Sequence, residues 1–222
     1  PRFTRGEQSS SGAGGDVRAW LILLCVAAAT AAAQTGRPPG ECPARPGALC
    51  VEMTLRGADY AGADLSNSQF ALSDLSGANL QRADLSGADM KRANLERADL
   101  RNANLQQADL QLARLDNAQL QGANLHAAIL RDARLNSAAM QGADLGAADL
   151  HTAELRHAQL QESQMQRARL VSADLQGASL RGADLRGADL SQADLRNADL
   201  TNAKLEDARF AGATTAGCIG CP

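Results

Sequence analysis

Every fifth residue of this 222-residue chain, from Leu55 to Phe210, is large and apolar, and no insertion or deletion shifts the register. Of the 32 such positions, 26 are Leu; the others are Tyr60, Phe70, Met90, Met140, Met165 and Phe210. Two residues earlier the side chain is small: Ala at 28 of the sites, and Ser at Ser68, Ser73 and Ser163, with Met53 the one large exception. A period of five fits neither regular structure. On an α-helix, residues five apart drift round the axis and cannot share a face. On a flat strand, alternate members would point to opposite sides. The chain must instead turn every five residues and send Leu and Ala inward together. Short extended pieces joined by tight turns do this, and the Gly, Asn and Asp beside each Leu tolerate turn dihedrals.

Composition agrees with a periodic architecture. The chain is 45% hydrophobic but only 2% aromatic, so its apolar content is Leu and Ala rather than the mixture that fills a jigsaw core. A net charge of -3 gives no electrostatic reason to expect nucleic acid as a partner. The first fifty residues differ in kind. A polar, Gly/Ser-rich start leads to Arg18 and then to the apolar run Ala19–Ala33, which ends in small residues before Gln34. A charged flank, an apolar core and a small-residue site predict a secretory signal over residues 1–33, cut near Ala31-Ala32-Ala33. The run is shorter than the roughly 20 residues of a membrane helix, so no membrane attachment is expected after cleavage. Cys25 follows Ile22-Leu23-Leu24 and lacks the small residues of a lipid-attachment site. Beyond the signal, a Cys/Pro-rich cap is expected over 34–52, the repeats over 53–213, and a second cap with a CxxC over 214–222.

Runs such as Ala83-Asp84-Leu85-Ser86-Gly87 and Ala188-Asp189-Leu190-Ser191-Gln192 resemble the pentapeptide-repeat family, over nearly three-quarters of the chain. The resemblance implies an all-β fold: a right-handed, quadrilateral β-helix with four pentapeptides per coil. The central Leu and the Ala two before it would point inward, and the other three residues outward. About eight coils then follow, making a rod roughly 38 Å long at the usual strand spacing.

Four cysteines remain outside the signal, an even number that favours disulfides in an exported protein. Cys42 and Cys50 precede the first coil; Cys218 and Cys221 follow the last. A disulfide needs Cα atoms within about 7 Å, so bridges spanning a rod of that length are excluded. The expected pairs are Cys42–Cys50 and Cys218–Cys221, each a structural cap. The same separation argues against a four-cysteine zinc site. Cys218-Ile219-Gly220-Cys221 also has the spacing of a redox motif, but such motifs open a helix in a βαβ setting.

Sorted on a twenty-residue coil, the outward residues hold no catalytic constellation. His126, His151 and His157 fall on three different faces and read as surface side chains. No inserted loop builds a pocket or lid. Asp64 stacks over Asp84, and Asp174 over Asp194, yet the glycine-rich nonapeptide of calcium-binding solenoids is missing, so these read as turn residues. Neither metal nor cofactor is expected. Arg114 over Arg134, followed by Glu154, reads either as an anion site or as a charge-balanced ladder. One face departs from the polar pattern: Leu72, Leu112, Ile129 and Val171 all point outward there. An apolar stripe on one face marks contact, and this one is expected to be covered by segment 34–50 or by a partner.

These readings predict a non-enzymatic structural or interaction module, exported to a bacterial periplasm or beyond, that binds an unknown protein partner through one face. The runner-up comes from the resemblance: a cytoplasmic rod that mimics DNA and binds gyrase. Against it, residues 51–213 carry 22 acids and 17 bases, a net of -5, and arginines interrupt the acidic surface. An enzyme survives only as a redox role for the CxxC tail.

Overall fold

The computed structural model describes residues 42–222. Within them, residue n pairs with residue n+20 in a parallel β-bridge, at one position in every five, from Leu49↔Gln69 to Asp199↔Ile219. The unit is therefore a solenoid of twenty-residue coils, each with four bridging positions and four turns. The expected signal region, Cys25 and residues 34–41 lie outside the described residues.

One repeat illustrates the wiring. Leu125 N–H donates forward to Asp144 O (2.6 Å), and Asn124 N–H donates back to Ala103 O (2.9 Å). Ala128 N–H closes the corner on Leu125 O at 3.0 Å. The corner's third residue, Ala127, has φ 55°, as a type II turn requires. Among the described residues, twenty-three non-glycines adopt this left-handed conformation, which costs an L-residue roughly 1–2 kcal/mol. The bonds between coils and the buried leucines offset that cost at each corner.

The inward set matches the five-residue pattern. Central residues from Leu65 to Leu195 are fully buried, and the Ala two before each is buried beside it from Ala78 to Ala198. Every one of the fourteen Asp and four Asn that precede a central residue accepts a hydrogen bond through Oδ1 from the backbone N–H two residues on, at 2.8–3.3 Å. This Asx turn is the physical reason for the D/N in the motif.

The coil geometry runs beyond the expected 53–213. Residues 47–52 already follow the coil: Gly47, Cys50 and Glu52 N–H donate to Ser66, Gln69 and Ala71 O, Leu49 bridges Gln69, and Ala48 and Cys50 are buried in the core. Two of the three serines at the small inward site explain how. Ser68 Oγ accepts from Ala48 N–H (3.0 Å) and donates to Arg45 O (3.3 Å); Ser73 Oγ donates to Cys50 O. Tyr60 Oη donates to Cys42 O at 3.2 Å. At the other end Ile219 still bridges Asp199, so residues 214–219 also continue the coil. The faces are named below by their middle inward residue: the Leu115, Leu120, Leu125 and Leu110 faces.

Candidate functional site

The expected cysteine partners are neighbours. Cys42 and Cys50 stand with Cα atoms 5.4 Å apart, and Cys218 and Cys221 at 5.9 Å.

The apolar stripe is longer than expected, and it is broken. Leu72 (49% exposed), Leu112 and Ile129 are open on the Leu110 face, while Val171 is half-buried. Leu49 and Val51 extend the same face at its N-terminal end; they precede Met53, where the five-residue pattern begins. Ion pairs interrupt the stripe. Lys91 Nζ lies 2.8 Å from Asp109, and Asp149 pairs with Arg169 (3.2 Å) and Arg131 (3.8 Å). Of segment 34–50, expected as one possible cover, residues 47–50 pair with the next coil, and 34–41 lie outside the described residues.

The Leu115 face is a ladder of ion pairs. Arg114 pairs with Glu96; Arg134 pairs with Asp116 (3.1 Å) and Glu154 (3.7 Å); Arg156 pairs with Asp174 (2.6 Å). Of the two readings of Arg114 over Arg134, the balanced ladder is the one present. Elsewhere Arg186 grips Asp184 with two bonds, 2.8 and 2.6 Å, and holds that carboxyl far below the usual carboxylate range. Asp189 is lowered by its bonds from the Ser191 side chain and backbone, and Asp199 likewise by Thr201. Among the described residues, no group of three His, Cys, Asp or Glu is placed to hold a metal ion.

The histidines stay apart. His126 and His157 each lie over a glycine of the next coil: a Cβ on Gly146 would meet His126 Nδ1 at 2.8 Å, and one on Gly177 would meet His157 Nδ1 at 2.6 Å. His151 is half-buried, with Nδ1 enclosed and unpaired. An open groove of about 470 Å³ runs along the corner past His126, Gln166, Arg167 and Arg186. Its Arg186 is already committed to Asp184.

The Leu120 face differs from all of these. Across three successive coils its outward residues are Gln119, Gln121, Gly122; Ala139, Gln141, Gly142; and Gln159, Gln161, Glu162. Glu162 is the one charged residue among these nine. Gln119 and Gln159 are exposed, and Gln121, Gln141 and Gln161 each bury an Oε1 that accepts no hydrogen bond. Sequence reasoning looked for clusters of charge and for apolar side chains. The signal here is a run of amides with a single charge, Glu162, found only by sorting every outward residue by face.

The family description "Pentapeptide repeats" matches in eight copies, in segments from residues 50–87 to 178–214. The chain belongs to the pentapeptide-repeat family. Among solved structures it is similar to HetL, a pentapeptide repeat protein involved in heterocyst differentiation regulation in the cyanobacterium Nostoc. That match has 33% identity and a TM-score of 0.66, over 87% of this chain and 92% of that one. It is also similar to full-length QnrB1, a plasmid-mediated fluoroquinolone resistance protein, at 23% identity and a TM-score of 0.48, over 75% of this chain and 91% of that one. A third is a pentapeptide repeat protein of the Arabidopsis thaliana thylakoid lumen, at 26% identity and a TM-score of 0.32, over 57% of this chain and 71% of that one. No curated protein matches the sequence.

Proposed function

We propose that this pentapeptide-repeat protein is a non-enzymatic interaction module: a right-handed solenoid, exported to the periplasm or beyond, that presents one face to a protein partner. The observation that carries the reading is the unbroken coil from Leu49 to Ile219, whose bridging position recurs every five residues. Such a surface leaves no loop to enclose a substrate, and catalysis normally needs a concave, water-excluding site. Flat faces suit contact with another macromolecule. The Leu110 face is the candidate for the partner, because Leu72 (φ 61°) and Leu112 (φ 60°) occupy left-handed corners where glycine would be less strained. Exposed leucines at a strained position are best accounted for by a contact that uses them.

Export rests on the apolar run Ala19–Ala33 and on the two adjacent cysteine pairs, which suit an oxidising compartment. The gyrase-binding alternative asks for a surface of unpaired carboxylates. Asp99, Asp184 and Asp194, among others, are instead held by arginines on their own coil. Fractionation of the tagged protein in a bacterial host tests the reading. The expected outcome is a shortened chain beginning near Gln34 outside the cytoplasm, with both cysteine pairs oxidised in non-reducing peptide maps. Full-length, reduced protein retained in the cytoplasm would overturn it.

A further inference from the structure

The amide stretch of the Leu120 face, from Gln119 to Gln161, is symmetric along the coil axis. The corner residues read Arg101, Gln121, Gln141, Gln161, Arg181 in successive coils, the same forwards and backwards. The residues at the middle of the face read Asp99, Gln119, Ala139, Gln159, Ser179, with the smallest side chain at the centre. A two-fold interface is self-complementary: residue i meets j, and j meets i. We propose that this face binds a second copy of the chain, antiparallel, with the two-fold axis passing at Ala139.

The chemistry of the facing residues supports that occupant. In this register Gln119 meets Gln159, Gln121 meets Gln161, and Gln141 meets its own copy. A primary amide both donates and accepts, so the exposed side chains of Gln119 and Gln159 pair reciprocally across the interface. Further out, Asp99 meets Ser179 and Asp199 meets Asn79, each an acceptor opposite a donor. Arg101 meets Arg181, but each is already neutralised, by Asp99 at 2.6 Å and Asp199 at 3.1 Å.

Charge also decides the orientation and the register. In a parallel pairing Asp59, Asp99 and Asp199 would each face its own copy. Moving the antiparallel axis half a coil toward Gln119 sets Asp59 against Asp199; half a coil toward Gln159 sets Asp99 against Asp199. Like charges face to face are costly, and the axis at Ala139 sets no carboxylate against another, Arg101 against Arg181 being its one like-charge meeting. Eight coils at about 4.8 Å by a side of five residues at about 3.3 Å give roughly 600 Å² per copy. That is near the lower limit of specific interfaces, so the dimer is reversible and depends on concentration. The proposal stands apart from the export reading and uses a different face from the apolar one.

Sedimentation velocity of the full chain over a range of concentrations tests it. The wild type is expected to shift reversibly from monomer to dimer. Ala139→Arg, which puts two guanidinium groups on the axis, removes the dimer and leaves the melting temperature unchanged. A second pair of variants reads the register at two exposed positions. Gln119→Glu with Gln159→Glu sets carboxylates against each other and dissociates the dimer, whereas Gln119→Glu with Gln159→Lys retains it. A wild type that stays monomeric at every concentration would overturn the proposal. So would a dimer indifferent to Ala139→Arg, or one that responds identically to the two double variants.

Discussion

Two adjoining faces of the solenoid, the Leu115 face and the Leu120 face, are built on the same interior and differ only outside. Beneath both, a fully buried Leu or Met stacks on the residue twenty positions away, with Ala beside it. Outside, one is a ladder of ion pairs from Glu96–Arg114 to Arg156–Asp174, and the other a strip of amides from Gln119 to Gln161. The fold therefore places almost no constraint on three of every five residues. A pentapeptide-repeat solenoid holds its shape through two inward positions, and each face is left to acquire its own surface chemistry.

The largest effect expected tests whether the interiors are equivalent. Leu115→Asp and Leu120→Asp should unfold the solenoid to the same extent. Each removes about 1.5–3 kcal/mol of apolar burial and adds the larger cost of an unpaired buried charge. Urea denaturation followed by circular dichroism would measure it, and a marked difference between the two would break the comparison.

A smaller effect separates the coils by acidity. Asp184 is lowered first by its bond from Arg186, Asp189 by Ser191, Asp194 by Arg196 and Asp199 by Thr201, all within one coil's length. A carboxylate whose folded pKa is depressed stabilises above its unfolded value, about 3.9, and that contribution is lost as the pH falls through the folded pKa. Stability should hold from pH 7 to about pH 5 and decline below about pH 4. Hydrogen exchange, corrected for its intrinsic pH dependence, should rise first over residues 184–199. The stretch 119–141 has one carboxylate, Asp132, and should follow later. Simultaneous opening of both regions would contradict the assignment.

The smallest effect distinguishes the two surfaces directly. Arg134→Ala removes the partner of Asp116, whose side chain is only 11% exposed, and should cost about 1 kcal/mol. Gln141→Ala should stay within about 0.5 kcal/mol, as expected of a surface change. Chemical denaturation of both variants below the dimer's concentration range checks the pair.

The inward set was legible in the sequence because inwardness follows the five-residue period: Leu125 and Ala123 sit where the pattern puts them. The limits of the solenoid were less so. The first coil departs from the motif, with Cys50 in the place of a Leu and the core closed by its own Tyr60 and by Ser68 and Ser73 from the next coil. Local pattern recognition ends where the motif ends, whereas backbone pairing to the next coil continues. The apolar face was half legible: its leucines could be counted, but the ion pairs of Lys91 and Asp149 that divide it join residues on different coils.

By itself, the sequence determined the period, the inward residues and the Asp and Asn turns, because each depends on contacts within a few residues. Only the tertiary structure decided which acid meets which arginine, which imidazole rests on which glycine, and which glutamines are left with an unpaired oxygen. Those pairings join residues about twenty apart, and they depend on side-chain reach across the 4.8 Å gap between coils. A five-residue period recurs identically at every corner, so it carries no record of which outward neighbours will meet. The closing of the coil supplies that record.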